Sequence, residues 1–305
     1  MATEFPQFKF IHAAPDRPLA SLGVETCGAV EILYGSDLKV EELGLVPNLH
    51  WIHCPRAYLD RLCVDALIKQ GNILISSTKE ENLETIGEFA LCAALAFAKC
   101  IFHWEKGGNN IEALRAKMWS AKKCLFLQVG LGRIGSEIAR RAAAAGFEVL
   151  GVQELASFHP HCKATYNLEE LKNLLPKAHI VCLAAPRDKK TVSWFDREEF
   201  ALMREDSAFM AFGNGAALDI EALAEFAEKG KFRGVLLDAH FRPPLPPESP
   251  LWKIPYVINS RESSAYPMTE NFHSFHGFLY NLRQYIHGNF GDMRYLLNPP
   301  ESILQ

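Results

Sequence analysis

The stretch Leu125-Phe126-Leu127-Gln128-Val129 runs directly into Gly130-Leu131-Gly132-Arg133-Ile134-Gly135 and then into a helical pattern from Ser136 to Ala145. Strand, glycine turn and helix in that order leave few folds open. A GxGxxG pattern is loose on its own, but between an apolar strand and a helix it marks the first turn of a dinucleotide-binding βαβ unit. Gly130 permits the tight turn, Gly132 lets a pyrophosphate approach the backbone, and Gly135 lets the helix pack closely on the sheet. N–H groups at the helix start, those of Arg133 and Ile134 included, then face phosphate oxygens with the helix dipole behind them. The plain alternative is a glycine-rich turn that holds nothing.

About 20 residues beyond such a turn an acid normally binds the adenosine ribose. The second strand here ends Gly151-Val152-Gln153-Glu154, which puts Gln153 in that place. An amide hydrogen-bonds a hydroxyl but does not repel a 2′-phosphate, so NAD and NADP both remain open, with Glu154 one residue further on.

From Ser120 onward short apolar runs alternate with helical patterns, the mark of a parallel sheet with crossover helices. Strands are expected at Leu125 to Val129, Glu148 to Val152, Ile180 to Ala184, Ala208 to Phe212, Val235 to Leu237 and Val257 to Ile258. Most are apolar throughout, as strands covered on both faces must be. Asp219 and Gly230 bracket a further helix as N-cap and C′ glycine. The first part of the chain repeats the style, with strands expected at Phe8 to His12, Ala29 to Tyr34, His50 to His53 and Ile73 to Ser76. Thr269 to Gly288 is helical in pattern.

At 305 residues two domains are expected, and with 49% apolar and 22% charged residues nothing argues for disorder. A net charge of -4 without a long basic run argues against nucleic-acid and anionic-membrane binding and for small-molecule chemistry. The most apolar segment, Phe89 to Phe102, is too short to span a bilayer and reads as a buried helix. The acid and proline in Met1 to Pro6 are unlike a signal peptide, and eight cysteines without a CxxC pair suit reduced thiols. A cytoplasmic protein is expected.

Other features carry less. Arg242-Pro243-Pro244-Leu245-Pro246-Pro247 reads as a rigid loop, with a polyproline II ligand as the alternative. His159-Pro160-His161-Cys162 has zinc-type residues but no second cluster, so no metal site is assigned. Cys54 has no visible activating base, and His273 and His276 share a helical face expected to pack.

On the glycine turn and on Ala145-Gly146-Phe147-Glu148-Val149-Leu150-Gly151, the chain resembles the D-2-hydroxyacid dehydrogenase family. Leu183-Ala184-Ala185-Pro186, Gly215 to Asp219, Gly234 to Asp238 and Asn281 to Gly288 match later blocks. The resemblance implies a Rossmann doubly wound parallel sheet inserted into a smaller flavodoxin-like α/β domain. It assigns residues 1–99 and 268–305 to a substrate domain and 100–267 to the dinucleotide-binding domain. It also implies NAD or NADP as cofactor, contacts from Pro186 and Asp238, a 2-oxo or 2-hydroxy acid as substrate, and a homodimer.

The family reaction uses an arginine to grip the substrate carboxylate, a histidine as acid/base, and a glutamate that orients the imidazole. The resemblance puts Asn214, Glu262 and Pro243 in those three places, with Arg261 replacing Glu262 if the alignment slips by one. Asn214 brings no charge, Pro243 has no side-chain acceptor, and an ionised Glu262 repels an anion. Where the family has a substrate-facing glycine, Tyr58 stands, with Arg56 nearby. The expectation is an NAD(P)-binding family member with altered or absent catalysis, a pseudoenzyme. The alternatives are a 2-oxoacid reductase whose acid/base site is rebuilt from Arg56, His240, Arg261 or Glu262, an NAD(H)-sensing scaffold, and a structural protein that no longer binds the nucleotide.

Overall fold

The computed structural model describes residues 4–13, 18–55, 59, 62–78, 83–104, 111–185, 194–240, 245, 247–260, 263–265 and 270–298. In chain order the elements are α1 Val24–Gly28, β1 Ile32–Tyr34, β2 Trp51–Cys54, α2 Val64–Gln70, β3 Leu74–Ser77, α3 Leu83–Ala98, α4 Ile101–Trp104, α5 Ile111–Lys117, β4 Leu125–Val129, α6 Arg133–Ala144, β5 Glu148–Gln153, β6 Ala164–Asn167, α7 Leu171–Leu174, β7 Ile180–Leu183, α8 Arg197–Leu202, β8 Ser207–Asn214, α9 Ile220–Glu228, β9 Phe232–His240, β10 Val257–Asn259 and α10 Glu270–Ile286. Two units result: Met1–Glu81 with Thr269–Gln305, and Asn82–Met268.

In the larger unit seven strands lie in the order β10-β9-β8-β7-β4-β5-β6, all parallel. This is the doubly wound order, whose direction reverses between β4 and β7. Alternate residues of each strand enter opposite cores. Leu127, Val129, Val181, Leu183 and Phe209 face α7, α8 and α9, while Phe126, Ile180, Cys182 and Met210 face α3 and α6. Burial on both faces is the physical reason the strands read as unbroken apolar runs.

Helix α9 begins at Asp219, whose carboxylate accepts the Ala222 N–H at 2.9 Å, and ends before Gly230 at φ 73°. Both ends follow from the cap residues. Helix α6 starts three residues earlier than the expected Ser136, because Arg133 to Gly135 already adopt helical geometry. Helices α3 and α6 cross at Gly87, where a Cβ would lie 2.8 Å from Arg141 Cδ and 2.9 Å from Glu137 Cγ. Arg141 in turn pairs with Glu137 at 2.6 Å and Glu88 at 3.4 Å. This packing gives α3 to the larger unit, so the structure divides the chain at 81/82 where the sequence reading divides it at 99/100. The expected buried helix Phe89 to Phe102 is broken at Cys100, which has φ 54°, and resumes as α4.

The smaller unit holds a parallel sheet β1-β2-β3. Cys27, Ile52, Cys54, Leu67 and Ile75 form the core on the α1 and α2 side. Trp51 and Leu74 meet Phe278, Leu279 and Leu282 of α10 on the other. The outer edge of β3 is covered by the segment after α10: Leu297 N–H donates to Ile75 O at 2.7 Å, and Asn298 bonds Ile75 N and Ile73 O. The strand expected at Phe8 to His12 does not form. No described strand lies beside it, and Phe8 packs on the Trp51 cluster while Phe10 and Ile11 are exposed. No helix among the described residues is long and apolar enough to cross a membrane.

Candidate dinucleotide site

Strand β4 ends at the reversal point of the large sheet, where open α/β sheets leave a crevice for ligands. Gly130 follows with φ 86°, donating its N–H to Val152 O at 2.7 Å. A Cβ there would overlap the Ala184 carbonyl oxygen, and one on Gly135 would overlap the Gly130 carbonyl oxygen. Both glycines are required by the protein's own packing.

Gly132 differs. Its φ of -65° and ψ of -170° are ordinary for any residue, and a Cβ would meet nothing within 4 Å among the described residues. It is the exposed N-cap of α6, contributes no side-chain cap, and no acid occupies the first turn. The first intrahelical bond along the turn runs from Ser136 N to Gly132 O at 2.8 Å, so the N–H groups of Ile134 and Gly135 have no acceptor within the helix. An open, uncapped helix start beside a bare backbone fits a pyrophosphate, and these residues would hold it. When bound, the cofactor supplies a nicotinamide ring that gives or takes hydride.

Two supports escaped the sequence reading. Gln128 is fully buried in the strand before the turn, and its amide donates to Gly130 O at 3.1 Å and Cys182 O at 3.2 Å, bracing the turn from beneath. The one polar residue in an apolar strand was the available signal. His159 sets Nε2 3.1 Å from Ser136 Oγ, and that hydroxyl donates to Leu131 O at 2.9 Å. Burial, and then His161, hold the His159 pKa below its ordinary value. Its Nδ1 lies 3.5 Å from Cys162 Sγ, but no group of three metal-type ligands occurs among the described residues.

Gln153 closes β5, paired with Asn167 of β6. Its amide N–H donates to Ser157 Oγ at 2.8 Å, while Glu154 lies exposed in the bend that follows. Asp238 is buried in β9, where its carboxylate accepts from the hydroxyls of Ser260 and Ser264 and from Ser264 N–H at 3.2 Å. These bonds tie β9 to the segment following β10.

Asn214 and His240 are backbone neighbours at the ends of β8 and β9, two residues beyond the pair Phe212 and Asp238. Their side chains, and residues Arg56, Tyr58, Pro186, Pro243, Arg261 and Glu262, lie outside the described part of the structure. The structure thus gathers Gly130, Gly132, Gln153, Asn214 and His240 along the carboxyl edge of one sheet.

With that edge established, comparison with known proteins is decisive. Residues 99–260 match the model of the D-isomer specific 2-hydroxyacid dehydrogenase NAD-binding domain. The chain belongs to the D-isomer specific 2-hydroxyacid dehydrogenase family. This family member is 30% identical to glyoxylate/hydroxypyruvate reductase B of Escherichia fergusonii, over 77% of its own length and 74% of that protein's. Its fold is that of D-lactate dehydrogenase from Aquifex aeolicus complexed with NAD and lactic acid, with a TM-score of 0.73 and 18% identity, covering 92% and 90% of the two chains. A D-isomer specific 2-hydroxyacid dehydrogenase from Xanthobacter autotrophicus, complexed with NADPH and MES, has a TM-score of 0.67 at 21% identity, covering 89% and 85%. The matched residues of this dehydrogenase-family chain, which fall within its large unit, are the family's NAD-binding domain.

Proposed function

We propose that this protein binds NAD(P) on Gly130, Gly132, Arg133, Ile134 and Gly135 and that its catalysis is altered from the family's ordinary 2-oxoacid reduction. The observation that carries the binding half is Gly132: nothing among the described residues requires a glycine there, whereas an approaching pyrophosphate does. Altered catalysis is supported by the end of β8, where Asn214 takes the place the family gives to a substrate-gripping arginine. An amide cannot make the bidentate charged contact of a guanidinium.

The competing reading is a working 2-oxoacid reductase with a relocated acid/base site drawn from Arg56, His240, Arg261 and Glu262. The name of the Escherichia fergusonii relative favours it. Titration with NADH and NADPH tests the binding half, and no saturable binding at millimolar cofactor overturns it. Steady-state assays with glyoxylate, hydroxypyruvate and pyruvate test the other half. Turnover that disappears in Glu262→Gln or Arg261→Ala establishes the reductase, whereas its absence with the cofactor bound supports the altered reading. A cytoplasmic homodimer belongs to the same proposal, with light scattering as the check on assembly.

A further inference from the structure

The dinucleotide crevice lies at the carboxyl ends of the large sheet, and a separate cavity of about 480 Å³ opens at the amino ends of β4, β5 and β6. Lys122 precedes β4, Glu148 begins β5 and Lys163 precedes β6, while Gly146, His161 and Cys162 add to the lining. Glu148 is already paired with Lys163 at 2.8 Å, whereas Lys122 has no carboxylate partner among the described residues. The Lys122 stem lies across Gly146, its Cγ 3.7 Å from where a Cβ would be. The carbonyl end of α6 also reaches this rim, but Ala145, Gly146 and Phe147 donate their N–H groups back to the carbonyls of Arg141, Ala143 and Ala142. A helix end carries a partial charge, against a whole one on the Lys122 ammonium. Burial pushes the Cys162 thiol up to about 11, so it stays neutral and does not oppose an anion. An unpaired ammonium beside an imidazole and a thiol suits an oxyanion.

The loop that walls this cavity also reaches the glycine turn. His161 N and Cys162 Sγ lie 3.4 and 3.5 Å from His159 Nδ1, and the opposite ring nitrogen lies 3.1 Å from Ser136 Oγ in the first turn of α6. Cys162 and Leu131 rest on the bare face of Gly151, where a Cβ would lie 3.1 Å from Cys162 Sγ and 2.6 Å from Leu131 Cδ1. Leu131 belongs to the turn itself. Whatever fixes His161 and Cys162 therefore fixes the imidazole that holds the start of α6.

We propose that this cavity binds a small organic dianion, a phosphorylated or dicarboxylic acid, and that its occupation strengthens dinucleotide binding through His159. Lys122 supplies the principal charge and His161 a second contact. The site stands apart from the reading of the glycine turn, and only the coupling rests on it.

The test uses the full chain, with phosphoglycolate and malonate as probes for the two classes of acid and inorganic phosphate as the bare anion. Binding is followed by NMR on the His161 ring resonance, assigned by its absence in His161→Gln. A saturable shift with phosphoglycolate or malonate is expected, weakened about tenfold in Lys122→Ala, as the loss of one charge-assisted hydrogen bond implies. Glu148→Gln frees the Lys163 ammonium and is expected to tighten binding about threefold. NADH should bind about twofold to fivefold more tightly with the probe present, and the probe gains the same factor from NADH, since coupling is reciprocal. His159→Ala removes that coupling and leaves the His161 shift in place. No saturable shift, a shift unaffected by Lys122→Ala, or a probe that competes with NADH overturns the proposal. Inorganic phosphate binding as tightly as both probes overturns the organic-acid assignment, and an NADH affinity indifferent to the probe overturns the coupling. Probe binding without any NADH binding supports the site while defeating the function reading and the coupling that rests on it.

Discussion

His159 Nε2 and Ser136 Oγ, 23 residues apart, stand 3.1 Å from each other and tie the loop after β5 to the first turn of α6. Because Ser136 donates its hydroxyl proton to Leu131 O, it accepts from His159, which places the imidazole proton on Nε2. Nδ1 is then the acceptor for the His161 N–H at 3.4 Å. The Nδ1 bond therefore needs a neutral ring, whereas the Nε2–H bond to Ser136 survives protonation.

His159→Ala is expected to cost about 1 kcal/mol, the usual net worth of one hydrogen bond. Cofactor affinity should fall up to about fivefold, the equivalent in binding, because the loop must be ordered anew. The histidine's pKa is lowered in the folded protein, chiefly by burial, so its contribution to stability is full above the ordinary value of 6.5 and declines as pH falls toward the folded value, where the Nδ1 bond is also lost. Thermal denaturation of both proteins between pH 7.5 and pH 5 reads this out, and an unchanged difference between them refutes it.

The three glycines of the turn separate fold from function. Gly130→Ala and Gly135→Ala each force a Cβ into a carbonyl oxygen, and Gly130 adds its φ of 86°. Each is expected to destabilise by roughly 2 kcal/mol or more, as overpacking and left-handed backbone strain do. Gly132→Ala has open space and ordinary dihedrals, so its melting temperature stays near that of the natural protein. NADH binding should nevertheless weaken at least tenfold. A Gly132→Ala protein that binds normally would falsify the assignment of the crevice.

In the smaller unit, His53 is buried with Nδ1 2.8 Å from Ser76 Oγ and Nε2 3.0 Å from Thr78 Oγ1, and burial lowers its pKa to about 4. The unfolded chain takes up a proton near pH 6.5 and the folded chain only near 4. Stability is therefore full above pH 6.5 and declines as pH falls toward 4, by about 3 kcal/mol in all. Urea denaturation at pH 7 and pH 4.5 should show the decline, and His53→Gln should flatten it. Equal pH dependence in the two proteins excludes His53 as the cause.

Asp238 has a testable structural part. Asp238→Asn replaces one acceptor oxygen with an NH2 group that faces the Ser264 N–H and the serine hydroxyls. A buried mismatch of this kind costs about 1–3 kcal/mol. If Ser264→Ala reproduces the loss of stability without affecting NADH affinity, while Asp238→Asn lowers both, the carboxylate also serves the cofactor. Unaltered NADH affinity in Asp238→Asn, at a temperature where it is folded, assigns it to the scaffold alone.

The larger unit was the more legible because its strands are buried on both faces and its turn chemistry is explicit. Val129 to Gly135 and the Asp219 and Gly230 caps each specify geometry through a single residue's requirements. Strand β6, Ala164 to Asn167, was invisible because it is a short, half-exposed edge of mixed polarity with no apolar run. Phe8 to His12 misled for the opposite reason: a short apolar run promised a strand, but pairing needs a neighbour, and its apolar side chains are otherwise disposed. Gln128 and His159 act through partners at sequence distances of 54 and 23, Cys182 and Ser136, that only the folded sheet and helix bring within reach.

The covering of Trp51 and Leu74 by α10 has a consequence during synthesis. About 200 residues separate Leu74 from Phe278, and a ribosome adding about 5–20 residues per second needs roughly 10–40 s to bridge them. For that interval the nascent β1-β2-β3 sheet has an apolar face with no helix to lie on it, while the intervening unit has all its strands in hand and can fold first. The smaller unit therefore begins first and finishes last, which makes its Trp51 face the part of the newborn chain most in need of a chaperone's cover.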